Sequence, residues 1–189
     1  MTQPFEDTWV IILENSRINK DKKIKLGGIK LSNELMQVNI FGSTVKINRV
    51  SVFCRLMAEN KINLPFLSVT AISDRMQGSC CVSVEDMGRV KKIVNDHSGL
   101  KDIVEYIVPV GSISIFPHQF RLQLLGHMLY IFGQASLPLF GMANSISTLT
   151  LTTDYDKLKS ASELLKDYFC LGPNHAPIKP EFQVKQIER

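Results

Sequence analysis

Polar side chains that could hold a ligand occur where the sequence predicts helix starts or a hairpin turn. They form two groups, one beside predicted helix N-termini and one at the turn: Ser43, Thr44, Asn48, His118 and Gln119 in the first, and Asn144, Ser145 and Ser147 in the second. The first N–H groups of a helix lack intrahelical partners and attract a carboxylate, to which nearby hydroxyl groups can also donate. We therefore expect the first group to suit a small carboxylate, and the hairpin group offers further polar contacts to a ligand.

Each group also has a purely structural interpretation. Asn and Ser at a hairpin turn commonly hydrogen-bond only the backbone, so Asn144 and Ser145 are either ligand contacts or turn residues. Ser43 and Thr44 can cap a helix. His118, beside a helix start, is either a donor facing a ligand or a surface residue.

Metal binding and catalysis find little support in the sequence. His118 and His127 are nine residues apart, which is half a turn out of phase on one helix. The four cysteines form no CxxC pair, and the neighbours Cys80 and Cys81 point to opposite faces of a strand, which predicts one core residue and one exposed thiol. No Ser/His/Asp or Cys/His set has a recognisable local signature. We expect no enzyme activity, no metal and no cofactor.

The hairpin group lies in the stretch Leu137–Asp154, in which Thr and Leu alternate after Asn144 and Ser145. Alternation with period two predicts an antiparallel hairpin with one buried face. The apolar spacing then becomes helical up to Tyr168, with Asp154 placed as the cap. An apolar helix is predicted upstream, over Phe120–Gly133.

The first half of the chain shows the same order of elements. The predicted elements are strand Met36–Phe41, helix Ile47–Lys61, strands Phe66–Ile72 and Cys80–Val84, helix Asp86–His97 and strand Ile103–Val110, preceded by a strand at Trp9–Leu13. The second half begins with strand Ser112–Phe116 and can close with a strand at Phe182–Ile187.

An internal duplication explains this repeated order. Leu64-Pro65 corresponds to Leu137-Pro138 at an offset of 73 residues, and Met87 corresponds to Tyr155 at an offset of 68. Two βαββαβ units predict an α+β fold, with two ferredoxin-like units side by side. Joining their sheets edge to edge would protect edge strands and give a mostly antiparallel eight-stranded sheet with helices on one side.

Composition favours an ordinary globular protein. The chain has 189 residues, 44% of them hydrophobic, and a net charge of +4. No apolar run approaches the roughly 20 residues of a membrane helix, and the N-terminus lacks a signal-peptide pattern, so we expect a cytoplasmic protein without membrane contact. RNA-recognition domains share this strand order, but the central strands carry no aromatic residues for base stacking, and we expect no nucleic acid partner.

Two stretches resemble the paired ACT domains at the regulatory end of aspartokinases. They are Ala58–Leu64, AENKINL, at the transition from helix to strand, and Asn144–Ser147, NSIS, in the second hairpin. The resemblance covers residues from Ile24 to the C-terminus. It implies ACT-type units that pair side by side and bind a small amino acid between them.

The resemblance also implies a domain organisation. We expect an N-terminal extension over residues 1–24, a first ACT-like unit over 25–110 and a second over 111–189, with no kinase domain. We therefore expect the chain to be a stand-alone regulatory module with a possible enzyme partner. The usual Pro-Gly of ACT ligand turns is missing at Gly42–Asn48 and at Phe116–Phe120. The alternative is therefore a dimerisation or partner-docking scaffold that binds no ligand.

The helix predicted over Phe120–Gly133 suggests self-association. Its apolar residues are too many for one buried stripe: Phe120, Leu122, Leu124, Leu125, Met128, Leu129, Ile131 and Phe132. Such a helix must be covered on a second side by the other repeat or by another chain, and we expect a homodimer.

Overall fold

The computed structural model describes residues 23–43, 48–116, 122–145 and 147–171. Its four helices are α1 Arg49–Glu59, α2 Met87–Asp96, α3 Leu122–Gln134 and α4 Leu158–Tyr168. Its strands are β1 Ile24–Leu26, β2 Gly28–Leu31, β3 Leu35–Ser43, β4 Phe66–Ile72, β5 Arg75–Ser83, β6 Val104–Phe116, β7 Gly141–Asn144, β8 Leu149–Asp154 and β9 Phe169–Leu171. The strands predicted at Trp9–Leu13 and Phe182–Ile187 lie outside the described residues.

Seven strands form one antiparallel sheet in the order β4-β5-β3-β6-β8-β7, with β2 also paired to β6. The remaining strands, β1 and β9, form a separate parallel pair. The predicted α+β, mostly antiparallel fold is confirmed, and the described residues form a seven-stranded sheet where eight strands were expected. The strands predicted at Ile103–Val110 and Ser112–Phe116 are one strand, β6, and β2 joins the sheet although it was not predicted.

The long strand β6 belongs to both units. Its first half pairs with β3 through Val104–Val110, and its second half pairs with β8 and β2 through Val110–Phe116. Two strands were predicted here, with a break near Gly111, but the chain stays extended. A bulge interrupts the pairing with β3, since Leu35 pairs with Val110 and Gln37 with Ile107. The extra residue on β6 bends the sheet there.

Strand β2 occupies the fourth position in the sheet of the second unit. Gly28 pairs with Phe116, and Leu31 pairs with Ile113. Leu26 of β1 and Ile29 of β2 lie in the core of the second unit, beneath α3 and α4. Strand β2, which precedes the first unit's strand β3 in sequence, thus completes the sheet of the second unit.

All four helices cover the same face of the sheet. One core cluster joins α1 and α2 to β3 and β5, and another joins α3 and α4 to β2, β6 and β8. A third, smaller cluster lies on the helix-free face, where Leu35, Phe66, Cys81 and Val110 meet Phe140 and Ala143. The sheet therefore bends at the bulge so that the helix-free faces of the two units pack together.

The duplication is visible in matching local structures. Helices α1 and α3 end in the same motif, with a residue of positive φ at Lys61 and at Ser136, 75 residues apart. Short 3₁₀ turns begin at Val84 and Tyr155, 71 residues apart. The offsets of 73 and 68 that were read from the sequence are therefore short by two and three residues.

Caps differ between these two turns. Ser83 Oγ accepts a hydrogen bond from Glu85 N at 3.2 Å, and the predicted cap at Asp154 makes no side-chain hydrogen bond. The helix α4 is instead entered through the 3₁₀ turn Tyr155–Lys157. Its core-facing residues begin at Leu158.

Cys80 and Cys81 are both fully buried, so the prediction of one exposed thiol is wrong. Cys80 packs in the cluster beneath α1 and α2, and Cys81 packs in the third cluster. Adjacent strand residues do point to opposite faces, but both faces of β5 are covered. Burial raises the pKa of Cys81 to about 12, and it raises the pKa of Cys80 as well, with the neighbouring thiols adding to the shift.

We expect Cys80 and Cys81 to resist alkylation in the folded protein. At pH 8, a thiol with a pKa of about 12 is ionised to roughly one part in 10⁴, and only the thiolate reacts. Mass spectrometry after iodoacetamide treatment should show Cys170 modified well before either buried thiol. In denaturant all four cysteines should react at similar rates, and equal native rates for Cys81 and Cys170 would contradict the burial.

Candidate functional site

The first predicted group lies where β3 passes into α1. Ser43 is half-buried at the end of β3, opposite Arg75. Asn48 is the N-cap of α1, and its Oδ1 accepts a hydrogen bond from Ser51 N at 3.2 Å. The Asn48 side chain thus caps the helix, a role that the sequence had suggested for Ser43 and Thr44, while leaving its amide Nδ2 as a donor. Thr44 lies outside the described residues.

The second predicted group forms the exposed turn between β7 and β8. Ser145 closes this turn: its Oγ accepts from Thr148 N at 3.0 Å and donates to Thr148 O at 3.1 Å. Asn144 and Ser147 are exposed beside it. Ser145 therefore has a turn-forming role, and the side chains of Asn144 and Ser147 are accessible to a ligand.

His118 and Gln119, the predicted contacts at the start of α3, lie outside the described residues. In the described part of the chain, no three His, Cys, Asp or Glu residues are placed to hold a metal ion. The described helices include none that is both long and apolar enough to cross a membrane.

The two groups lie at opposite ends of β6. Ser43 follows Ile40, which pairs with Val104 at the start of β6. Asn144 pairs with Leu149, which pairs with Ile115 near the end of β6. The strand between these pairings has a contour length of roughly 36 Å at about 3.3 Å per residue. We therefore expect one small amino acid to contact only one of the two groups of the same chain.

The seam between the units is filled by a buried polar network. Gln37 is fully buried on the helix-free face of β3, and its Oε1 accepts from Thr152 Oγ1 at 2.7 Å. Its Nε2 donates to Phe140 O and to Asn39 Oδ1, both at 3.0 Å. The amide thereby links β3 of the first unit to β7 and β8 of the second. These side chains fill part of the contact between the two units, where the sequence predicted a ligand, and the ligand itself remains a prediction.

Clefts lie on the outside of the second unit. One, of about 290 Å³, lies between the end of α3 and α4, with a lining of Ala135, Ser136, Leu137, Lys157, Ser160 and Leu164. An open groove along α4 adjoins it and shares Ser160 and Leu164. No predicted ligand contact lines either cleft.

The role of the Gln37 side chain was not predicted from the sequence. The alternation of Ser and Thr along Ser112–Ser114 and Thr148–Thr152 was a visible signal, since it places hydroxyl groups on one face of each strand. The pairing of those strands is long-range, so the sequence alone did not show which hydroxyl groups meet.

The structure is similar to the regulatory parts of aspartate kinases. The regulatory subunit of aspartate kinase from Thermus thermophilus, in its ligand-free form, aligns with a TM-score of 0.65 at 13% identity, over 76% of this chain and 98% of that chain. Aspartate kinase from Synechocystis aligns with a TM-score of 0.65 at 12% identity, over 85% of this chain and 29% of that chain. Aspartokinase III from E. coli, in complex with lysine and aspartate, aligns at 0.55 and 9% identity, over 75% and 32% of the two chains.

These similarities confirm the fold that the resemblance predicted, a tandem of ACT-type ferredoxin-like units. At such low identities they concern the fold alone. No protein-family model matches the sequence, and no curated protein matches it.

Proposed function

We propose that this chain is a non-catalytic regulatory module that binds a small amino acid and transmits its presence to an enzyme partner. The observation that carries the proposal is the fold, because the match covers 98% of a protein described as the regulatory subunit of an aspartate kinase. The E. coli aspartokinase was solved with lysine and aspartate, which makes these two the first ligands to test. The four free cysteines are consistent with a reducing cytoplasm.

Two places in the chain can contribute to the amino acid site. The carboxylate would bind at the N-terminus of α1 beside Ser43 and Asn48, or at the start of α3 beside His118 and Gln119. The exposed Asn144 and Ser147 would contact the amino group or side chain. The α1 and hairpin groups lie at opposite ends of β6, so a site that uses both requires a second copy of the chain.

A thermal-shift screen of the twenty amino acids tests the proposal. A ligand at about 100 times its dissociation constant adds roughly 2.7 kcal/mol to the free energy of unfolding. We expect one or two amino acids to raise the midpoint and Asn144→Ala to abolish that rise. Thr148→Ala is the control, because it alters the same turn while its N–H and C=O still bond to Ser145.

Two outcomes of the screen discriminate between the functions. A rise that is lost in Asn144→Ala and kept in Thr148→Ala supports a sensor that uses the hairpin. If no amino acid at millimolar concentration moves the midpoint, the sensor is rejected and the scaffold takes its place.

The exposed side of α3 supports the alternative function, a dimerisation or partner-docking scaffold. This helix buries Leu124, Met128, Ile131 and Phe132 in its own unit. Leu129 and Tyr130 remain 42% and 40% exposed. This apolar pair supports the predicted homodimer, which would cover α3 on a second side.

We expect Leu129→Glu with Tyr130→Glu to convert a homodimer to a monomer, since two opposed helices would then bring four carboxylates together. Light scattering at several concentrations measures the change. Glutamate at Lys157 and Lys159, exposed residues at the start of α4, is the control for added charge. A monomeric wild-type chain, or a double variant that remains dimeric, would contradict this interface.

A further inference from the structure

Three polar side chains stand in a row across β2, β6 and β8. Lys30 pairs with Ser114, and Ser114 pairs with Thr150. The residues on either side of each point into the core beneath α3 and α4, as Ile113 and Ile115 do for Ser114. Because strand side chains alternate, all three lie on the helix-free face.

The two hydroxyl groups of this row are hydrogen-bonded to each other. Ser114 Oγ and Thr150 Oγ1 are 2.9 Å apart, and either can donate. A single hydrogen bond uses one of the two protons, so the other proton is free to point toward an anion. Both residues are half-buried and so remain partly accessible.

An aromatic ring borders the same row. A methyl group on Gly28 would lie 3.1 Å from Phe116 Cζ, so the ring of Phe116 covers Gly28, two residues before Lys30. The absence of a side chain on Gly28 makes room for this ring. We call Lys30, Ser114, Phe116 and Thr150 the Lys30 shelf.

Lys30 is half-buried on this shelf. Burial lowers the pKa of Lys30, which reflects the cost of removing a charge from water. An ammonium has three donors, so a carboxylate can be added to the contacts that Lys30 makes within the chain.

We propose that the Lys30 shelf binds a small carboxylate. One oxygen would accept from the ammonium of Lys30 and the other from the hydroxyl pair, with the apolar part of the ligand against Phe116. A carboxylate suits the shelf better than phosphate, since the shelf offers one cation and one available hydroxyl proton to the ligand. The proposal stands apart from the amino acid sensor, because it requires no residue of the α1 or hairpin groups.

The first unit provides an internal comparison at the equivalent position. Asn39 pairs with Ser79 and with Glu105, as Ser114 pairs with Thr150 and Lys30. Phe41 follows Ile40 as Phe116 follows Ile115. In the first unit Glu105, an anion, thus occupies the position that Lys30 occupies in the second unit. Of the two positions, we therefore expect only the Lys30 shelf to bind a carboxylate.

A nuclear magnetic resonance titration of the full chain with succinate tests the proposal, with sodium chloride matched for ionic strength. We expect saturable amide shifts at residues 29–31, 113–115 and 149–151, and none at 38–40 or 104–106. Lys30→Gln should weaken the affinity by about tenfold or more, and Ser114→Ala by severalfold. Lys25→Gln removes the same charge from an exposed position on β1 and should leave the affinity within about twofold.

The spectra themselves show whether each variant is folded, and Ser114→Ala tests the shelf if Lys30→Gln unfolds. Non-saturable shifts, or equal weakening by Lys25→Gln and Lys30→Gln, would overturn the proposal. Phosphate in a parallel titration should bind more weakly than succinate, and tighter binding of phosphate would overturn the choice of a carboxylate.

Discussion

Replacing Phe53 with alanine is expected to lower the free energy of unfolding by about 3–5 kcal/mol. Phe53 lies on α1, is fully buried, and packs among Met36, Val38 and Val94 in the core of the first unit. Its removal takes away a large apolar surface and leaves a cavity that the sheet cannot close. Since domains of this size are stable by only about 5–15 kcal/mol, this change takes a large share of the total.

Urea unfolding followed by circular dichroism measures this loss. Phe41→Ala is the matched control, because Phe41 is partly exposed at the end of β3, and it should cost about 1 kcal/mol or less. Strand β6 contributes to both cores, so we expect a single transition that moves as a whole. Two separate transitions, of which Phe53→Ala moves only one, would contradict the shared strand.

Replacing Gln37 with leucine is expected to cost about 2–4 kcal/mol, even though leucine is apolar and of similar size. The change removes the donor to Phe140 O and Asn39 Oδ1 and the acceptor for Thr152 Oγ1. A buried polar group without a partner costs about 1–3 kcal/mol. Thr152 Oγ1 also lies 3.4 Å from Gly141 O, so it can recover part of the loss.

The matched control for this substitution is Gln77→Leu, on the exposed part of β5, which should change stability by less than about 0.5 kcal/mol. Both variants can be compared in the same urea experiment. A Gln37→Leu protein as stable as the wild type would show that the network does not hold the two units together.

Local patterns in the sequence predicted most of the secondary structure. Helix Arg49–Glu59 and strand Phe66–Ile72 lie within a few residues of their predicted bounds or match them. Leu149 and Leu151 are buried, as expected of the apolar face of β8, but Thr152 on the opposite face is buried as well, so the expectation of one buried face is wrong. Secondary structure depends on neighbours in sequence, for which periodicity is a direct signal.

Long-range pairing explains what the sequence did not reveal. Gly111 predicted a break, but β6 continues because its second half finds partners in β2 and β8. Cys80 is buried beneath α1 and α2, but the burial of Cys81 depends on packing of the helix-free faces, to which Phe140 of the other unit contributes. No local pattern specifies such contacts.

The candidate site shows the same division. The turn at Asn144 and Ser145 followed from local sequence, whereas Asn48 proved to be the cap of α1 in place of Ser43 or Thr44. The separation of these two groups by the length of β6, and the meeting of Lys30 with Ser114, depend on strand register. Register is set by the whole sheet. Polar residues at helix starts and turns could therefore be found from the sequence, but not which of them lie close together.

Equilibrium dialysis of the purified chain against each radiolabelled amino acid measures amino acid binding without reference to stability. We expect saturable retention of one or two amino acids, with lysine and aspartate tested first, and loss of that retention in Asn144→Ala but not in Thr148→Ala. If none of the twenty amino acids is retained at millimolar concentration, the chain is not an amino acid sensor.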